Sequence, residues 1–170
     1  PPVIMGIGRL AYQKDFPTLM RAFAKVRQQM PCRLMILGDG KGRQEYQALA
    51  AELGIADGVE FPGFMINPYA WLAKAKLFVL SSRWEGSPNA LTEAMALGIP
   101  VVATDCPSGP NEILQNGRYG RLVAIGDVEG LAAAMLETIK NPPLSSELQT
   151  AVSSYTINIS TTKYLQALEI

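Results

Sequence analysis

Two hydrophobic rhythms alternate along this chain. Short apolar runs recur at residues 3–7, 34–37, 59–61, 77–80, 101–103 and 122–124, most of them bounded by Gly, Pro or Asp. Several are apolar at every position, which fits strands covered by helices on both faces, as in parallel sheets. Between them lie stretches with an apolar stripe at helical spacing. Leu19, Ala22, Phe23 and Val26 mark a helix over 16–29, and Tyr46, Leu49 and Leu53 mark one over 42–53. Val128, Leu131, Met135 and Ile139 mark a third, over 127–140. Alternation repeated about six times predicts an α/β fold: a doubly wound, mostly parallel six-stranded sheet with helices on both faces and right-handed crossovers. Residues 1–140 carry this rhythm. Residues 141–170 break it, because Pro142 and Pro143 stop the preceding helix and Ser/Thr punctuation follows. They read as a C-terminal helical tail of the same domain, with short helices near 145–151 and 160–168.

In such a sheet, ligands bind outside the carboxyl ends of the strands. Those ends carry Gly8 and Arg9, Gly38 and Asp39, Gly63 and Phe64, Ser81 to Glu85, and Thr104 and Asp105. The first loop, MGIGRLA, matches a loose G-x-G-x-x-A dinucleotide pattern, but its context fails. That fingerprint needs a helix starting within the glycine turn. Pro17 fits a first helical turn and not a helix interior, with Asp15 as the expected cap, so the helix begins near residue 16. What the loop offers is two cations, Arg9 and Lys14. They read either as solvated surface charge or as a phosphate clamp, forked donors from Arg beside a mobile Lys charge.

The segment SSRWEGSPNALTEAMALGIP, residues 81–100, holds two carboxylates, Glu85 and Glu93, in otherwise small or apolar surroundings. Ser87 is the expected N-cap and Pro88 the first helical residue, with Gly98 and Pro100 stopping the helix. Glu85 then lies on the strand-end loop, and Glu93 about one and a half turns into the helix. Leu91, Ala94, Met95 and Gly98 form the face toward the sheet, and Ala90, Ala96 and Leu97 predict that much of the helix is covered. A covered carboxylate needs a partner, since burying an unpaired charge is costly. A hydroxyl-rich ligand could supply donors to both, and the helix end between them, with the N–H groups of Asn89 and Ala90, favours an anion. Phosphate plus sugar hydroxyls describes a nucleotide-sugar. The bland alternative is helix-surface charge.

Composition narrows the chemistry. Fifteen basic residues balance fifteen acidic ones, so no global field recruits nucleic acid or anionic lipid. There is no histidine, which removes Ser–His and Cys–His nucleophile arrangements and the commonest metal ligand. Cys32 and Cys106, far apart and without CxxC spacing, read as free thiols of a reducing, cytoplasmic compartment. No apolar run approaches the ~18 residues of a membrane span. The chain opens PPVIMGIG, without Met and almost directly on a strand, which reads as a piece of a longer protein.

Taken together, these residues resemble the C-terminal domain of retaining GT-B glycosyltransferases, the large family-four group. The strongest match is the E-x7-E element from Glu85 to Glu93, preceded by a strand ending in Ser81 and Ser82. Gly8-Arg9 followed by Gln13-Lys14, LMILGDG at 34–40, VEFPGF at 59–64 and CPSGPNEIL at 106–114 follow in the family's order and spacing. The resemblance implies a Rossmann-like half of a GT-B fold whose N-terminal acceptor domain is absent from this chain. It implies that Gly8, Arg9 and Lys14 hold the donor diphosphate and that Glu93 binds the ribose hydroxyls. Glu85 would be the catalytic position, contacting the donor sugar or the charge developing near its anomeric carbon. Main-chain groups at Phe64 and Met65 would hold the base, and amides from Gly86 to Asn89 and Ala90 would approach phosphates or sugar. For Phe64 and Met65, core packing is the competing reading. Trp71 and Trp84 read as packing or cleft-wall residues, and Asp39 as a cap of the next helix.

The chain departs from the family at Asp15, where Gly is frequent, and at Ser87-Pro88, where an aromatic-Gly pair is commoner. The second change leaves the hexose identity open. The implied activity is hexosyl or N-acetylhexosaminyl transfer from a nucleotide-diphosphate sugar, UDP by family frequency, with retention and without metal or other cofactor. The acceptor would be a glycan or lipid-linked, reached through the missing domain, with any peripheral contact with the inner membrane face confined to the parent protein. A related GT-B epimerase or phosphorylase-like enzyme, and a non-catalytic nucleotide-sugar-binding module, remain the alternatives.

Overall fold

A computed structural model describes residues 1–155. The strands are β1 (Val3–Ile7), β2 (Arg33–Leu37), β3 (Val59–Gly63), β4 (Leu77–Leu80), β5 (Val101–Thr104) and β6 (Arg121–Val123). They form one sheet in the order β3-β2-β1-β4-β5-β6, every pairing parallel. The chain winds outward from β1 to β3, then returns to lay β4 beside β1, with Ile4 opposite Leu77 and Met5 opposite Phe78. The direction of winding reverses at that point, and the crevice above it is where such sheets bind ligands.

Among the described residues seven helices cover the sheet: α1 (Phe16–Gln29), α2 (Arg43–Glu52), α3 (Tyr69–Leu72), α4 (Asn89–Ala96), α5 (Pro110–Ile113), α6 (Val128–Lys140) and α7 (Ser145–Ala151). α1, α2 and α6 bury Phe23, Tyr46 and Met135 on one face. α4, α5 and α7 bury Met95, Ile113 and Leu148 on the other. Successive strand residues feed opposite layers: Leu77 and Val79 of β4 enter the first cluster, Phe78 and Leu80 the second. That is why the inner runs lack polar alternation. Each such fully buried Leu or Phe contributes about 1.5–3 kcal/mol of hydrophobic stabilisation.

The periodicity placed the six strands and the long helices to within a residue or two. β3 runs on through Pro62 to Gly63, which is tolerated because, among the described residues, β3 is the edge strand of the sheet. α3 and α5, four residues each, were not expected, because one turn is too short to show a stripe. α4 starts at Asn89, so Pro88 occupies the capping position and not the first helical turn. Its sheet-facing set, Leu91, Ala94 and Met95, is buried as the spacing requires. Ala96 and Leu97 are exposed, so the helix is less covered than its composition indicates. α7 packs on α4, with the Ser145 hydroxyl donating to the Gly98 carbonyl at 2.9 Å. The helix expected at 160–168 lies outside the described residues. Cys32 and Cys106 are free and buried, and burial pushes both thiols up from their ordinary pKa. Among the described residues no helix is long and apolar enough to cross a membrane.

One ion pair joins the end of α1 to the approach to β3. Hydrogen bonds from the Arg27 guanidinium hold the Asp57 carboxyl down to about 2. A depressed carboxylate stabilises the fold above the ordinary Asp range, and that contribution is lost as pH falls toward 2. The pair is exposed and screened by salt, so its effect is local. Carboxyl-carbon NMR titration should give an Asp57 midpoint near 2. In Arg27→Gln the midpoint should return to the ordinary carboxylate range; an unchanged midpoint would remove Arg27 as the cause.

Candidate functional site

Four loops leave the carboxyl ends of the central strands and are bonded to one another. Gly8, just past β1, donates its N–H to the Leu37 carbonyl at 2.9 Å, and Leu10 donates to the Asp39 carbonyl at 3.0 Å. Gly38, just past β2, has φ +138°, and a Cβ there would lie 2.0 Å from the Gly8 carbonyl oxygen. Only glycine lets the two main chains approach this closely. A Cβ at Gly8 would in turn meet Lys14 Cε at 2.8 Å. The glycine thus leaves the channel along which the lysine stem lies.

The residue after Lys14 bends the chain into α1. Asp15 has φ +46° and ψ +43°, a left-handed conformation that costs little for Gly and is tolerated by Asp. The Asp15 side chain makes no capping hydrogen bond, contrary to expectation. It is buried and forms an ion pair with Arg83 at 3.1 Å, and the Arg83 guanidinium lies over the Tyr12 ring at 4.6 Å. Around this clip, Arg83 N–H donates to the Gln13 carbonyl at 2.8 Å and Gln13 Nε2 to the Trp84 carbonyl at 3.0 Å. The Ser81 hydroxyl donates to the Lys14 carbonyl at 2.7 Å. The loops after β1 and β4 are therefore stitched into one unit.

On its other side the β4 loop is tied to the loop after β5. The Thr104 hydroxyl donates to the Ser82 carbonyl at 2.5 Å, and Glu85 N–H donates to the Pro107 carbonyl at 3.2 Å. Glu85 is thereby held at the centre, 8% exposed. Lys14 Nζ sits 2.6 Å from Glu85 Oε1, and the Ser82 hydroxyl donates to the same oxygen at 2.5 Å. The partner that a covered carboxylate requires is, in this structure, the lysine from the first loop.

The other expected residues fall nearby in varied settings. Arg9 is exposed on a groove of about 500 Å³ that Tyr12, Asp15, Lys41, Glu45 and Tyr46 also line. Glu93 is half-buried on α4 and accepts a hydrogen bond from the Tyr69 hydroxyl at 3.3 Å. The Glu93 charge, foremost among the causes, pushes the Tyr69 phenol above its ordinary pKa. Among the described residues no direct hydrogen bond or ion pair joins Arg9 or Glu93 to the Lys14–Glu85 pair. Phe64, just past β3, is 76% exposed, so it is not a core residue; Met65 is half-buried against the second cluster. Trp71 and Trp84 are partly exposed, as wall residues would be.

At the start of α4, Gly86 and Asn89 are exposed and Ala90 is half-buried. Asn89 N–H is already used by the Ser87 carbonyl at 2.9 Å, so of the two donors expected there Asn89 is not free. Ser87 does not cap the backbone; its hydroxyl donates to Asn89 Oδ1 at 3.1 Å. Asp39 likewise accepts from the adjacent Gly40 N–H at 2.8 Å, while Gly42 occupies the capping position of α2. Sequence reasoning missed Ser82, Arg83 and Tyr69 as partners. Their contacts span 3, 68 and 24 positions, and only the first, Ser82 to Glu85, was legible as a local pair. Among the described residues no group of three or more His, Cys, Asp or Glu gathers as a metal site.

Comparison with known proteins bears on the family and the fold. The family model "Glycosyl transferases group 1" matches residues 1–141. The chain is 35% identical over 172 residues to the lipopolysaccharide core biosynthesis glycosyltransferase LpsE of Rhizobium meliloti, covering 98% of this chain and 49% of that protein. It is 42% identical over 113 residues to an uncharacterized glycosyltransferase of Methanocaldococcus jannaschii, covering 66% of this chain and 28% of that one. The apo structure of the lipopolysaccharide outer core galactosyltransferase WaaB superposes with TM-score 0.87 at 26% identity, over 99% of this chain and 49% of that one. Anabaena HepE, solved in complex with UDP, superposes with TM-score 0.84 at 25% identity, over 98% and 48%. The chain thus spans about half or less of the length of these relatives. By its family match, its relatives and its fold, the chain belongs to the glycosyl transferases group 1 family and has the fold of the C-terminal domain of a GT-B glycosyltransferase.

Proposed function

We propose that this chain is the donor-binding half of a glycosyltransferase that moves a hexosyl or N-acetylhexosaminyl group from a UDP-linked sugar to a glycan or lipid-linked acceptor. The observation that carries the reading is the Lys14–Glu85 contact at 2.6 Å, at the point where the winding reverses. It sets a cation suited to a diphosphate against a carboxylate suited to sugar hydroxyls. Arg9 supplies forked donors from the same loop, Gly8 leaves room for the lysine, and Glu93 is the ribose ligand. Main chain at Phe64 and Met65 receives the base, and the Gly86–Ala90 segment faces the phosphates or sugar.

The names of relatives support the substrate classes. One is a 4-alpha-N-acetylgalactosaminyltransferase of Campylobacter jejuni acting on a diphospho-undecaprenol-linked sugar, 33% identical over 141 residues. Another is a lipopolysaccharide 1,6-galactosyltransferase of Salmonella typhimurium, 33% identical over 135 residues. HepE was solved with UDP. Chemically, the cations neutralise the departing diphosphate, which in turn helps activate the acceptor hydroxyl, and transfer proceeds with retention. No histidine of this chain takes part, since it has none. The chain matches about half of its relatives' length, and the acceptor site is assigned to the part it does not match, so the 170 residues alone should turn over little. Efficient sugar transfer by this chain would contradict that division.

Thermal unfolding with millimolar UDP, GDP or ADP tests donor binding. A ligand at one hundred times its dissociation constant adds about 2.7 kcal/mol. No stabilisation by any of the three would overturn donor binding by this chain. Glu93→Ala should weaken UDP binding about tenfold, by loss of charged hydrogen bonds to the ribose. Glu85→Ala should instead weaken binding of UDP-sugar relative to UDP. Parent-like titrations for both variants would overturn these roles.

A further inference from the structure

The Lys14–Glu85 pair has a consequence for selectivity, resting on the reading that Lys14 holds the donor diphosphate. Both contacts to Glu85, from Lys14 Nζ at 2.6 Å and from Ser82 Oγ at 2.5 Å, converge on Oε1. The carboxylate is 5% exposed and its lysine partner 18%, so the pair is largely shielded from water. Lys14 cannot turn its full charge to a phosphate without weakening its hold on Glu85. A buried carboxylate stripped of its cation is costly unless other donors replace it.

From this we infer that Glu85 competes with the diphosphate for Lys14, and that the sugar of an intact donor relieves the competition while a spent nucleoside diphosphate does not. Sugar hydroxyls donate to the carboxylate, using Oε2 and the share of Oε1 that Lys14 gives up. Ser82 keeps the carboxylate in place during the exchange. A nucleoside diphosphate brings the same phosphates but no sugar hydroxyl, so it meets a lysine still claimed by Glu85. Glu85 therefore sets the ratio of donor to product affinity and favours product release, in addition to whatever it does at the anomeric carbon.

The test is calorimetric titration of the 170-residue chain and its Glu85→Gln, Glu85→Asp and Lys14→Met variants with UDP and with inorganic pyrophosphate. Glu85→Gln removes the competing charge and should tighten both probes about tenfold, the scale of one charged hydrogen bond. Glu85→Asp keeps the charge but shortens its reach, and should give a smaller gain of the same sign. It also serves if the glutamine variant folds poorly. Lys14→Met should weaken both probes. If Lys14→Met weakens binding while both Glu85 variants bind no tighter than the parent, the competition is wrong and the diphosphate reading stands. If Lys14→Met titrates like the parent, including a parent that binds neither probe, the diphosphate reading fails and takes this inference with it.

Discussion

Gly38→Ala should destabilise the chain by more than about 3 kcal/mol, because it combines a conformation foreign to L side chains with a collision that cannot relax locally. The new Cβ would stand 2.0 Å from the Gly8 carbonyl oxygen and 2.8 Å from its carbonyl carbon. Both belong to backbone at the end of the neighbouring strand. Gly8 N–H is bonded to Leu37 and Gly38 N–H to Gly63, so neither loop can move away without breaking a link across β1, β2 and β3. Gly54→Ala separates the two causes. Gly54 has φ +67° but nothing within 4 Å, so its substitution should cost only about 1 kcal/mol. Denaturant titration of both variants, with slopes compared to the parent, measures the difference. Equal costs would show that the close approach carries no energy. Because Gly8 borders the Lys14 stem, any folded Gly38→Ala protein should also bind nucleoside diphosphate more weakly.

Lys14→Met should cost about 2–3 kcal/mol, at or just below the lower end of the range for breaking a buried ion pair, because Lys14 keeps some exposure. It leaves the Glu85 side chain 5% exposed with, among the described residues, only the Ser82 hydroxyl hydrogen-bonded to its carboxylate. Glu85→Gln should cost less, about 1 kcal/mol, since the lysine stem can carry its ammonium toward water whereas the carboxylate sits inside the loop cluster. The double variant should lie close to Glu85→Gln alone, because the penalty of an unpaired carboxylate is then gone. Costs that simply add would mean that the two charges do not interact, and the site would lose its central contact. The hydrogen bonds around the pair, from Ser81 to the Lys14 carbonyl and from Thr104 to the Ser82 carbonyl, make a structural as well as a binding role expected here.

Local periodicity and punctuation went far in this chain. The apolar runs that became β1, β4 and β5 are buried on both faces, so they carry a signal that owes nothing to distant partners. Leu91, Ala94 and Met95 turned inward at their helical spacing. The E-x7-E element lies within one loop and one helix, so its two carboxylates kept their places once the helix formed. Errors cluster at the helix ends. Asp15, Ser87 and Asp39 are good caps by type, yet Asp15 faces Arg83, Ser87 faces the Asn89 side chain, and Asp39 serves the adjacent Gly40. For Asp15 the helix end lost to an ion pair brought in by the sheet, whereas Ser87 and Asp39 were taken by neighbours two and one positions away.

The sequence by itself determined the class of fold, the order of its elements and which loops lie at the ligand edge, because hydrophobic period and turn chemistry act over a few residues. Only the tertiary structure decided that Lys14 meets Glu85 across 71 positions, that Tyr69 reaches Glu93, and that Arg83 clips the first loop to the fourth strand. The first and the last of these exist because β4 returns to pair with β1, and strand pairing order is a property of the whole sheet that no local window of residues encodes.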